Sequence, residues 1–129
     1  MPRIRVLVAD DQQDVLDYVV RFLDHEFEVV GAVADGQSLL DAAEELEPHI
    51  IVLDITMPTL SGIEVARELK KRASKAKIVF LTVHEDRELV SKAFDSGALG
   101  FVIKSCLMHD LPIAIKKAHA GDSFVSPAI

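Results

Sequence analysis

Residues 50–58 read IIVLDITMP: four apolar residues, Ile50 to Leu53, run directly into a lone carboxylate, Asp54. An Ile/Val-rich run of that length is a strand buried on both faces, as in a parallel sheet. Three other runs share the form: IRVLVA (4–9) before Asp10-Asp11, IVFL (78–81) before Thr82, and GFVI (100–103) before Lys104. In open parallel α/β sheets the ligand site lies just outside the carboxyl ends of the strands. The polar residues that end these runs should therefore converge on one sheet edge. What converges there is three carboxylates, a hydroxyl and an ammonium. That set can hold a divalent cation and a phosphoryl group together, and it points to phosphoryl transfer onto a carboxylate.

Strands and helices alternate along the chain. The pattern predicts strands at 4–9, 28–33, 49–53, 77–82 and 99–103, and helices at 12–25, 37–47, 62–72, 86–96 and 109–120. Five βα units in register predict a doubly wound, five-stranded parallel α/β sheet. Pro48 closes the second helix, and Gly97 and Gly121 sit just past the fourth and fifth. Pro112 has no N–H, so the fifth helix is expected to begin no earlier than about His109. Residues 123–129 lack helical periodicity and read as a tail or the start of a linker, leaving 1–122 as the domain.

The bulk numbers narrow the class. At 129 residues the chain is one domain by length. No apolar run approaches the ~20 residues that span a bilayer, and two early aspartates argue against a secretory signal. The single cysteine, Cys106, forms no internal disulfide, which fits a reducing cytoplasm. Fourteen Lys+Arg against 21 Asp+Glu give a formal net charge of −7, so direct nucleic-acid binding is not expected. Lys70-Lys71-Arg72 reads as a helix C-terminus complementing its dipole.

Adjacent carboxylates at Asp10-Asp11 repel, and each raises the other's pKa unless a cation is present. One of them capping the next helix is the plainer alternative. A pair at a buried strand end is better explained by Mg²⁺, which takes hard oxygen ligands and few protein groups. Asp54 is too far from the helix expected near Gly62 to cap it, and a buried unpaired carboxylate is costly. Beside a cation it can act as a nucleophile and accept a phosphoryl group as an acyl phosphate. Thr82 and Lys104 then supply a donor and a fixed positive charge for phosphoryl oxygens.

These residues resemble the receiver domain of two-component response regulators. The match comprises the acidic pair, Asp54 with Met57-Pro58 following, Thr82 and Lys104, at separations of 43, 28 and 22 residues counted from Asp11. It covers residue 4 to about 122. The resemblance implies a flavodoxin-like strand order of 2-1-3-4-5 and transfer of a phosphoryl group to Asp54 from a phosphohistidine on a sensor histidine kinase. It implies that Asp11, Asp54 and the backbone carbonyl of Thr56 ligate Mg²⁺, with Asp10 assisting through water. Thr82 and Phe101 would form a switch in which the ring turns inward, and a homodimer on phosphorylation is a further implied partner. The chain would catalyse only its own phosphorylation and dephosphorylation. Thr56 and His84 lie at positions that tune acyl-phosphate hydrolysis in the family. Ser105 stands where many receivers have a cis proline, so no cis bond is expected. Phe101 replaces the commoner Tyr and cannot make an outward hydrogen bond.

The ending AHAGDSFVSPAI (118–129) is similar to receivers that precede a LuxR-type helix-turn-helix domain. Output through transcription in a longer regulator is one expectation, and a free-standing receiver acting by protein–protein interaction is the other. The apolar arc of the first helix spans about 160°, against about 100° for a core-facing stripe. Leu16, Val20 and Leu23 can serve the core, leaving Val15 and Tyr18 near the site edge, where the resemblance implies kinase contact. Rival functions fit less well. A haloacid-dehalogenase-type phosphatase needs a second acid where Thr56 stands. A flavodoxin-like carrier would meet its phosphate with Asp10-Asp11-Gln12-Gln13-Asp14 and has no Trp for stacking.

Overall fold

Alternation within the four apolar runs divides them between two cores. In the computed structural model, which describes residues 3–129, β1 (Arg5–Ala9) sends Val6 and Val8 to one face and Leu7 and Ala9 to the other. β3 (Ile50–Leu53) and β4 (Lys77–Thr82) divide likewise, and in β5 (Gly100–Ile103) Val102 and Phe101 take opposite faces. This is the period-two geometry of a strand with helices on both sides. α1 (Gln13–Asp24) and α5 (Leu107–His119) cover the first face. α2 (Gly36–Leu46), α3 (Gly62–Lys71) and α4 (Arg87–Asp95) cover the second.

The sheet is wholly parallel in the order β2-β1-β3-β4-β5-β6, with β2 at Glu28–Val33 and β6 at Phe124–Val125. The chain leaves β1 towards β2 but returns to β3 on β1's other side. Neighbouring connections therefore diverge at the carboxyl ends of β1 and β3, leaving a crevice. Asp10-Asp11 and Asp54 stand at that point. Gly97 and Gly121 take φ of 107° and 88°, the left-handed conformation that ends α4 and α5. Among the described residues no helix is long and apolar enough to cross a membrane.

Three expectations are corrected. The tail is part of the sheet: Phe124–Val125 form a sixth strand, β6, parallel to β5. So short a strand has no periodicity to reveal it. α5 begins at Leu107, two residues earlier than Pro112 suggested, after a 3₁₀ turn at Lys104–Cys106. The carbonyl that Pro112 leaves without a helical partner belongs to Met108, a 65% exposed residue, where water can take the bond. On α1 the fully buried residues are Leu16, Val19 and Leu23, with Val20 only half-buried. The two sets span equal arcs of the helix, so the pattern alone does not choose between Val19 and Val20; packing against the sheet turns the stripe towards Val19.

Candidate functional site

Asp10 and Asp54 are the buried members of the acidic edge, and Asp11 is exposed. Neither Asp10 nor Asp11 caps α1; its N-cap is Gln12, whose backbone N–H donates to Asp10 Oδ1 at 2.9 Å. Asp54 Oδ1 accepts the backbone N–H groups of Ile55 at 2.7 Å and Thr56 at 3.4 Å. The turn after Asp54 is held by burial of Ile55 and Met57 and by the Gly62 N–H, which donates to the Ile55 carbonyl at 2.7 Å. A Cβ on Gly62 would lie 2.2 Å from the Asp54 carbonyl oxygen, so only glycine lets α3 start here. Ser61 and Glu64 form a capping box that fixes the same helix end.

Lys104 reaches back across the edge of the sheet. Its Nζ lies 2.8 Å from Asp10 Oδ2 and 2.9 Å from Asp54 Oδ2. Burial is the largest single influence on this ammonium and favours its neutral form. The bonds to Asp10 and Asp54, with their charges, outweigh burial and raise its pKa above the ordinary value. One carboxylate oxygen from each of Asp10, Asp11 and Asp54 lies within 4.8 Å of the others. Three carboxylates against one ammonium leave the cluster negative. It is built of hard oxygen donors and open on the Asp11 side, a fit for a divalent cation such as Mg²⁺.

Thr82, fully buried at the end of β4, is paired in register with Ile103, the residue before Lys104. Its hydroxyl accepts the His84 N–H at 3.3 Å rather than bonding to the acid cluster. His84 Nε2 lies 3.1 Å from Thr56 Oγ1, so the two positions singled out beside Asp54 and Thr82 are joined. No described peptide bond is cis, including the one after Lys104. Phe101 is fully buried in the core under α2, α3 and α4. Without a hydroxyl to satisfy, the ring gains about 1.5–3 kcal/mol by leaving water. The ring lies inward in this structure.

Val15 and Tyr18 line a groove of about 760 Å³ between α1 and the start of α5, whose lining also includes Lys104, Leu107 and Met108. Val15 is half-buried; Tyr18 is 47% exposed, and its ring stacks on that of Phe22 with centroids 6.4 Å apart. Sequence reasoning missed Ser126. Its buried hydroxyl accepts the Ile103 N–H at 3.1 Å, and a lone serine in an aperiodic segment carries no signal of that contact.

A flavodoxin-like parallel sheet with an acid triad and a lysine at the carboxyl ends of its strands is a receiver fold. Residues 6–116 match the response regulator receiver domain, and the chain belongs to that family, the receivers of two-component systems. It is 31% identical over 129 residues to the transcriptional regulatory protein DegU of Brevibacillus brevis, covering 98% of this chain and 55% of that one. A LuxR-family two-component response regulator from Aurantimonas superposes with a TM-score of 0.93 at 31% identity, covering 100% of this chain and 93% of that one. The isolated receiver domain of RcsB from Salmonella enterica, solved in the presence of the phosphomimetic BeF3−, gives 0.89 at 26% identity, covering 98% and 95%. The chain spans between 55% and 64% of the length of such curated relatives.

Proposed function

We propose that Asp54 is the phospho-acceptor of this receiver and that the donor is a phosphohistidine on a sensor histidine kinase. A carboxylate oxygen of Asp54 forms the new bond to phosphorus while the P–N bond breaks, its electron pair leaving with the imidazole. Mg²⁺, held by Asp11, Asp54 and the Thr56 carbonyl with Asp10 assisting through water, would offset the repulsion between nucleophile and phosphoryl group. Lys104 stays protonated and takes a phosphoryl oxygen, and Thr82 donates to another once its hydroxyl turns to the site. The acyl phosphate is the only product the chain makes; no separate substrate is turned over.

The observation that carries this reading is the Lys104 ammonium bridging Asp10 and Asp54, with Asp11 beside them. The BeF3− named for the related RcsB receiver adds support. For the switch, the buried Phe101 ring suggests that phosphorylation holds it inward through Thr82, altering the α4–β5–α5 face. The groove from Tyr18 to Lys104 offers the kinase a path from a docking surface to the site. DegU carries a transcriptional name and extends well beyond the matched region, so the proposed output is transcription through a domain outside these 129 residues.

Incubation with Mg²⁺ and phosphoramidate, followed by intact mass, tests the acceptor. The native chain should gain one hydroxylamine-labile phosphoryl group, and Asp54→Asn none. A hydroxylamine-resistant phosphate persisting in that variant would overturn the assignment.

A further inference from the structure

Strand β5 is held on both edges where it delivers Lys104. On one side Ile103 pairs with Thr82 of β4. On the other, β6 runs parallel, with Gly100 opposite Phe124 and Phe101 opposite Val125. The Phe124 N–H donates to the Leu99 carbonyl and the Ser126 N–H to the Phe101 carbonyl, each at 2.9 Å. A continuing parallel ladder would next offer the Ser126 carbonyl to the Ile103 N–H. That carbonyl is used elsewhere: it accepts the Ile129 N–H at 3.1 Å, closing a turn over Ser126-Pro127-Ala128-Ile129. Proline in the second position of a turn favours this reversal and stops the strand. The Ser126 hydroxyl takes over, accepting the Ile103 N–H at 3.1 Å. Ser126 is 1% exposed, so the bond is shielded from bulk solvent. Ile129 then packs against the core cluster that contains Phe101.

We propose that Ser126 is a positioning residue of the phosphoryl site, and that residues 124–129 are a strap coupling the end of β5 to the state of Asp54. The inference rests on the reading of Asp54 as the phospho-acceptor. Its physical basis is the row Thr82–Ile103–Ser126, one residue from the lysine that touches both Asp10 and Asp54. Ser126 touches neither metal nor phosphoryl group; it acts by fixing the strand end from which Lys104 reaches. Alanine at 126 leaves a buried N–H unpaired, and the strand end must shift or let water in. Coupling between sites is reciprocal, so a phosphoryl mimic that engages Lys104 must also tighten the strap.

The test compares the phosphoramidate rate of the 129-residue chain with that of three variants, alongside Mg²⁺ affinity. Ser126→Ala should slow phosphorylation about tenfold, the scale of a small misplacement of a reacting group, while Mg²⁺ affinity stays within twofold because the acid triad is untouched. Ser126→Thr, which keeps the hydroxyl, should recover most of the rate. Val30→Ala, a loss of packing on β2 at the far edge of the sheet, should leave the rate unchanged. Wild-type phosphorylation with an unaffected Ser126→Ala overturns this proposal alone. If the wild type gains no phosphoryl group, the Asp54 reading fails and this proposal with it. If Ser126→Ala does not fold, amide exchange in the wild type decides. BeF3− with Mg²⁺ should slow exchange at Ile103 and Ser126 more than at the β1 and β2 amides, and equal slowing across the sheet would refute the coupling.

Discussion

Among the described residues Lys104 is the one cation in contact with Asp10 and Asp54, and replacing it with Met removes that charge while keeping most of the side chain's bulk. The carboxylate oxygens of Asp10, Asp11 and Asp54 lie within 4.8 Å of one another, so at an effective dielectric of about 20 each pair repels by about 3.5 kcal/mol or more. At 2.8 and 2.9 Å, Lys104 attracts each of its two partners by about 6 kcal/mol on the same scale. The two attractions are together comparable with the three pairwise repulsions, so the lysine offsets the mutual repulsion in the metal-free protein. Removing one partner of a buried charge pair typically costs about 3–5 kcal/mol, and that is the loss expected for Lys104→Met in EDTA by urea denaturation at pH 7. Millimolar Mg²⁺ should restore a larger share of stability in the variant than it adds to the wild type, since the cation then meets three uncompensated carboxylates. The pH dependence has a definite sign. Lys104 is held above its ordinary pKa of 10.5 in the folded chain. Its contribution is complete below the unfolded value and is lost as pH rises through the raised folded value. The wild-type advantage should be level upwards from pH 7 and shrink only in strong alkali. A loss under about 1 kcal/mol in EDTA, set against the buried-pair cost, or an equal Mg²⁺ effect in both proteins, would refute this account.

Asp11→Ala should erase the Mg²⁺-dependent rise in melting temperature and raise metal-free stability slightly by relieving repulsion; full retention of the metal effect would remove Asp11 from the ligand set. Gly62→Ala places a Cβ 2.2 Å from the Asp54 carbonyl oxygen, so the start of α3 must move. Denaturation should report a loss of about 1–3 kcal/mol, the usual range for overpacking, together with slower phosphorylation. Tyr18→Ala should slow transfer from the cognate kinase while leaving the phosphoramidate rate nearly unchanged; equal slowing with both donors would assign Tyr18 to the fold rather than the docking groove.

The amino-acid sequence alone determined the alternating strands and helices, the parallel sheet, and the convergence of Asp10, Asp11, Asp54, Thr82 and Lys104 on one edge. Those features are written in local signals: short Ile/Val runs, a polar residue at each strand end, and proline or glycine where helices stop. Only the tertiary structure decided which partners these groups take. It directs Lys104 to Asp10 and Asp54 together, ties His84 to Thr56 across the two loops, and turns the Thr82 hydroxyl to the His84 N–H. It also places Phe101 in the core under α2, α3 and α4, on the opposite face of β5 from Val102. Ser126 is the clearest case. Its hydroxyl matters because its own carbonyl is turned into the bend with Ile129 and because Ile103, 23 residues earlier, needs an acceptor. Both conditions arise from chain segments meeting in space, and a short polar residue after a two-residue strand has no periodicity to announce them.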